Sequence, residues 1–166
     1  MADAVDAILA QWARERPDMD ASPMGVVGRI SRAQQLLGRE LKEFFAERGL
    51  ETWEFDVLAT LRRHGAPYEL TAGALLKAAM VTSGAITNRI DRLETKGLVE
   101  RVRDAGDRRS VRIRLTSRGL AVVDEMVGLH AANEERLLAA LGPAERERLA
   151  GALRTLLESL GDTSLG

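Results

Sequence analysis

Between Thr71 and Thr116 the chain reads as a short helix, a tight connection, a second helix and a basic hairpin, and this order restricts the fold more than any other feature. Thr71 is placed to cap a helix over Ala72 to Ala79. Met80-Val81 leaves room only for a tight turn before Thr82 or Ser83 caps the next helix, which ends before Gly97. Two strand-like runs follow, Leu98 to Arg103 and Ser110 to Thr116, joined by Asp104-Ala105-Gly106-Asp107, which is hairpin chemistry. A helix-turn-helix with a β-ribbon behind it is a winged helix. The expected class is mostly α with a small β-hairpin.

Long helices flank this unit. Ala2 to Arg16 carries Val5, Ile8, Leu9 and Trp12 on one stripe, and Pro17-Asp18-Met19-Asp20-Ala21 breaks it. Ser22 then Pro23 reads as a cap followed by a first-turn proline, opening a helix that closes at Gly49. Thr52 caps a helix from Trp53 to Arg63. Beyond the hairpin, Thr116 or Ser117 starts a helix to about Ala140, and Gly142-Pro143 separates it from a last one, Ala144 to Leu160. The expected organisation is N-terminal helices over 1–50, a winged helix-turn-helix over 51–116, and C-terminal helices over 117–166. The flanks are apolar and far apart in sequence, so a homodimer joined through them is the economical arrangement.

Charge is unevenly placed. The 166 residues hold 24 Lys+Arg and 25 Asp+Glu, yet Arg89 to Arg118 alone holds ten basic and five acidic residues. A basic stretch on an acidic body suggests a face for a polyanion; a solvated charged surface is the plain alternative. There is no cysteine, no glycine-rich phosphate loop, no nucleophile elbow and no His/Asp/Glu spacing for a metal. His64 and His130 stand alone. No catalytic residue, cofactor or metal site is expected, and the chain does not read as an enzyme. No apolar run reaches membrane-spanning length and no signal peptide is legible, so a cytoplasmic protein without a membrane partner is expected.

Placed at 100° per residue, Ser83 to Lys96 puts Ile86, Ile90 and Leu93 on one side. Gly84, Thr87, Asn88, Asp91 and Thr95 lie opposite. Small and short hydrogen-bonding residues on that face suit a helix pressed into a DNA major groove. Arg89 falls about 60° from Ile86, at the margin of the buried stripe. It is either a snorkelling arginine covering the core edge or an internal cation behind the reading face. In the ribbon, Val111, Ile113 and Leu115 alternate with Arg112 and Arg114, and Val102 alternates with Arg101 and Arg103. The expectation is one apolar face and one ladder of arginines, their repulsion relieved by a polyanion. At the tip, Arg108 and Arg109 suit phosphates or a narrow minor groove, with Asp107 orienting one of them.

These stretches, "LTAGALLKAA", "TSGAITNRIDRLETKGLVER" and "DAGDRRSVRIRLTSRG", resemble the MarR family of winged-helix regulators from about Val26 to Leu160. The resemblance implies a dimer binding double-stranded operator DNA. It places Thr82, Ser83, Gly84, Thr87 and Asn88 in the major groove, and Arg108 and Arg109 in the minor groove. It also implies an Asp91–Arg109 ion pair that positions the wing. The stretches "DAILAQWARERPD" and "ETWEFDVLATL" narrow the likeness to the urate-responsive, PecS-like subgroup, whose ligand residues fall on Trp12, Asp56, Arg89 and Arg101. Singly, Trp12 reads equally as a core anchor, Asp56 as an exposed helix charge and Arg101 as one more wing arginine. The implied function is a ligand-responsive regulator, a repressor released by urate or a similar small anion. Another anion such as trans-aconitate, or a non-sensing architectural role, remains the alternative.

Overall fold

The computed structural model describes residues 2–79, 86–103 and 111–164, in two compact units, Met1–Phe44 and Phe45–Gly166. Thr82, Ser83, Gly84, Asp107, Arg108 and Arg109 lie outside the described residues.

In the first unit, helix α1 (Ala4–Glu15) starts at a reciprocal cap. The Asp3 carboxylate accepts from the amides of Val5 and Asp6 at 2.8 and 2.9 Å, and Asp6 accepts from the Asp3 amide at 2.9 Å. Helix α2 (Ser22–Ala46) begins at Ser22 itself, which is therefore its first residue and not the expected cap; Asp20 accepts from the Ser22 amide at 2.8 Å. Glycines on α2 let α1 approach. A Cβ on Gly25 would lie 3.0 Å from Leu9, and one on Gly28 3.5 Å from buried Val5. Arg29 closes the contact on Asp3 and Asp6 at 2.8 and 2.6 Å. Only part of the expected α1 stripe is covered: Val5 is buried, whereas Trp12 remains 40% exposed.

The second unit carries α3 (Thr52–Arg63), β1 (Glu69–Thr71), α4 (Ala72–Ala78), α5 (Ile86–Thr95), β2 (Val99–Arg103), β3 (Val111–Leu115), α6 (Ser117–Leu137) and α7 (Pro143–Ser159). Its core is Phe45, Phe55, Val57, Leu58, Leu61, Leu75, Ile90, Leu93, Ile113 and Val123. Glu51, one residue before the expected Thr52, takes the cap position of α3 and donates its amide to Glu54 at 2.9 Å. Thr71 caps α4 by accepting from the Ala74 amide at 3.2 Å, as the sequence suggests. Gly49 and Gly97 close α2 and α5 with φ of 72° and 66°, a left-handed backbone that glycine adopts without strain.

The sheet has three strands in the order β1-β3-β2, both pairs antiparallel. Its register corrects the expected arginine ladder. Arg101 lies opposite Ile113 and Arg103 opposite Val111, whereas Arg114 lies opposite Glu100 and Glu69, and Arg112 opposite Val102 and Thr71. Side chains of partnered residues share a face, so the arginines divide between the two faces and none opposes another. Arg114 is neutralised by Glu100 at 2.8 Å and Glu69 at 3.9 Å. The reason is a one-residue phase difference: arginines take the odd positions on β2 and the even positions on β3, and the register pairs odd with odd. Among the described residues, no helix is long and apolar enough to cross a membrane.

Candidate DNA interface and effector site

Helix α5 buries Ile90 and Leu93, half-buries Ile86 and exposes Thr87, Asn88, Asp91 and Thr95, the division its periodicity predicts. It packs against β2 and α4. Lys96, just past its end, donates to the fully buried Glu54 at 2.7 Å and to the Gly49 carbonyl at 3.2 Å. This ties the C-terminal end of α5 to the start of α3.

Two arginines frame α5. Arg101 on β2 donates to both Asp91 and Glu94, and its amide donates to Glu94 at 3.2 Å. Asp91 therefore holds the wing root through Arg101. Its expected partner Arg109 lies outside the described residues. Arg89 is half-buried, with its guanidinium carbon 5.3 Å from the Trp53 ring centroid. Its Nη1 is buried and has no hydrogen-bond partner among the described residues. A guanidinium N–H left unpaired out of water is costly, and it is a ready donor for an anion.

Asp56, half-buried on α3, belongs to the same electrostatic neighbourhood. Burial pushes its carboxyl above the ordinary range, and the charges of His130, Arg63 and Arg89 pull it back. His130, isolated in sequence, packs against the Phe45 and Phe55 rings at 5.2 and 4.9 Å and faces Glu134 at 3.2 Å. Asp56, Arg89 and Arg101 thus lie in the second unit, and Trp12 in the first. An open cleft of about 820 Å³, lined by Arg63, His64 and Lys77 around Leu70 and Ala74, includes none of the four expected effector residues. No cluster that could hold a metal occurs among the described residues.

The raised Asp56 carboxyl has a thermodynamic signature. A group whose folded-state pKa is raised contributes stability below its unfolded value and loses it as pH rises through the folded value. Asp56→Asn keeps the shape and removes the ionisation. It is expected to raise the melting temperature at pH 7 and to flatten that part of the stability profile above about pH 4. A lower melting temperature at pH 7 would mean that attraction to Arg89, Arg63 and His130 outweighs burial.

Trp53, Glu51 and Arg92 were not legible as site residues. The Trp53 indole donates to Glu51 at 3.0 Å, Arg92 donates to the other Glu51 oxygen at 2.6 Å, and Arg92 also stands 5.2 Å from the Trp53 ring. These contacts join α3 to α5, and helical periodicity within either segment gives no sign of them.

The MarR family profile matches residues 48–110. Over 149 residues, 90% of each chain, the protein is 42% identical to the HTH-type transcriptional regulator PecS of Dickeya dadantii (strain 3937). Its fold matches a mutant MarR from E. coli complexed with operator DNA, with TM-score 0.69 and 26% identity over 88% of this chain and 97% of that one. It also matches BpsR of Bordetella bronchiseptica, whose DNA binding is regulated by 6-hydroxynicotinic acid, with TM-score 0.69 and 28% identity over 79% and 91%. A family profile centred on α4, α5 and the wing, and a regulator alike over nine-tenths of both chains, identify this protein as a member of the MarR family of DNA-binding transcriptional regulators.

Proposed function

We propose that the protein is a homodimeric repressor that leaves a pseudo-palindromic operator when urate, or a related small planar anion, binds beside α5. The observation that carries this reading is Arg89. It lies on the helix that exposes Thr87 and Asn88, and its buried Nη1 lacks a partner among the described residues. An anion that satisfies Arg89 acts on the element that reads DNA. Asp56 is the natural counter-element: a half-buried carboxylate accepts ring N–H groups, or repels the anion and shifts its neighbours. Trp12 offers a flat aromatic face and Arg101 a second cation. Urate suits this set because it is planar, anionic and rich in N–H donors. The 6-hydroxynicotinic acid that acts on BpsR is likewise a planar heteroaromatic acid.

In this reading Thr82, Ser83, Gly84, Thr87 and Asn88 meet the major groove, and Arg108 and Arg109, oriented by Asp107, meet the minor groove. Dimerisation is supported by apolar side chains left uncovered in the single chain, among them Val26 (61% exposed), Val27 (65%) and Leu160 (74%). Sedimentation should give a dimer at micromolar concentration. Footprinting on the protein's own upstream DNA should show half-sites centred about 10 bp apart. A monomer that binds DNA as one copy would overturn the dimeric reading.

A further inference from the structure

We infer that α5 is locked in rotation by two opposed clamps, Trp53 with Glu51 on one flank and Arg101 on the other, and that Trp53 is a positioning residue for operator recognition. The inference rests on α5 being the DNA-reading helix. The buried stripe is narrow: Ile90 and Leu93 fix the distance of α5 from the domain, and a cylinder resting on so few side chains remains soft to rotation about its axis. At 100° per residue, Arg89 and Arg92 fall on one side of the stripe, and Glu94 and Asp91 on the other. Each pair is gripped from a different element. Both guanidinium carbons on the first flank stand over Trp53, at 5.3 and 5.2 Å. Glu51 braces that grip, accepting from the indole N–H at 3.0 Å and from Arg92 at 2.6 Å. The Glu51 carboxyl is held below the usual carboxylate range, first by Arg92 and then by Trp53. On the second flank, Arg101 donates to both Asp91 and Glu94. Asn88 and Thr95 lie between the clamps and Thr87 on the second flank beside Asp91, all three exposed.

Opposed clamps fix an angle where a single one would only attract. A rotation that brings Arg92 closer to Trp53 draws Asp91 and Glu94 away from Arg101, so one orientation satisfies both. Base edges are read by short side chains, and hydrogen bonds weaken steeply with misalignment, so a small turn of α5 costs affinity at Thr87 and Asn88 together. Trp53 is half-buried, and Glu51 and Arg92 are exposed, so the first clamp can be opened without removing the core.

The test uses operator affinity of the full-length protein, with thermal unfolding as the check on folding. Trp53→Leu keeps an apolar side chain and removes the aromatic face; Trp53→Phe keeps a face and loses the N–H. Trp53→Leu is expected to weaken operator binding about tenfold, and Trp53→Phe less than about threefold, with similar melting temperatures. Wild-type affinity in Trp53→Leu, or a loss in Trp53→Phe as large as in Trp53→Leu, would overturn the inference. Asn88→Ala separates this from the reading beneath it. Affinity lost in Asn88→Ala and kept in Trp53→Leu defeats the clamp alone; the reverse pattern defeats α5 as the reading helix and the clamp with it. A spectroscopic readout addresses coupling between the flanks. The chain has two tryptophans, so Trp12→Phe leaves Trp53 as the sole indole emitter. In that background Arg101→Gln, on the far flank, is expected to shift Trp53 emission, and an unchanged spectrum would contradict a shared rotation.

Discussion

Gly119→Ala is expected to destabilise the protein by on the order of 3 kcal/mol, near the upper end of what overpacking costs, and to abolish operator binding with it. Gly119 lies in the first turn of α6 and is buried. A Cβ there would sit 1.9 Å from the Leu98 carbonyl oxygen and 2.9 Å from its carbon. These are backbone atoms at the root of the wing, so no side-chain rotation relieves the clash. The same carbonyl accepts from the Thr116 amide at 3.2 Å, and the Thr116 hydroxyl accepts from the Gly119 amide at 2.9 Å and donates to the Gly97 carbonyl at 2.7 Å. Moving α6 away breaks this junction, which sets where β2 and β3 leave the domain. Urea unfolding measures the loss. An alanine variant within about 0.5 kcal/mol of wild type would show that α6 and β2 part without cost.

Arg89→Ala should have the largest effect on function that leaves the fold intact. It removes the half-buried cation whose charge acts on Asp56 and one of the two guanidinium groups over Trp53. Urate affinity should fall by at least about tenfold, the scale of losing one charge-assisted hydrogen bond of roughly 1.5–3 kcal/mol. The response of operator binding to urate should vanish, while urate-free operator affinity should fall by about tenfold at most, because the Arg92, Glu51 and Arg101 contacts remain. Calorimetric titration with urate and anisotropy with labelled operator read the two quantities. A variant that binds urate as wild type does would place the effector elsewhere.

Much of this architecture was legible because it is local. Thr71 before an apolar helix, Gly97 after one, and the 3.6-residue stripe of Ile86, Ile90 and Leu93 each specify their structure within a few residues. The cap of α3 shifted by one residue because Glu51 and Glu54 act as a pair, a choice that turns on Glu54 being buried against Lys96. The arginine ladder failed for a different reason. Alternation within each strand is visible in sequence, but which arginine faces which is decided by register, and a one-residue phase places Glu100 opposite Arg114. Trp53 shows the same limit at the site. Nothing within α3 distinguishes it from an ordinary half-buried aromatic, and its meaning comes from Arg89 and Arg92, more than thirty residues away. His130 joined the Asp56 neighbourhood in the same way, through the fold and not through any spacing.

In the proposed mechanism effector and operator compete through one rigid helix, so each must weaken the other's binding equally. Operator affinity is measured with and without saturating urate, and urate affinity with and without saturating operator, at one salt concentration. Both affinities are expected to decrease by the same factor, about 5–150-fold, the usual range of such couplings. Operator affinity unchanged at saturating urate, with urate demonstrably bound, would contradict that mechanism.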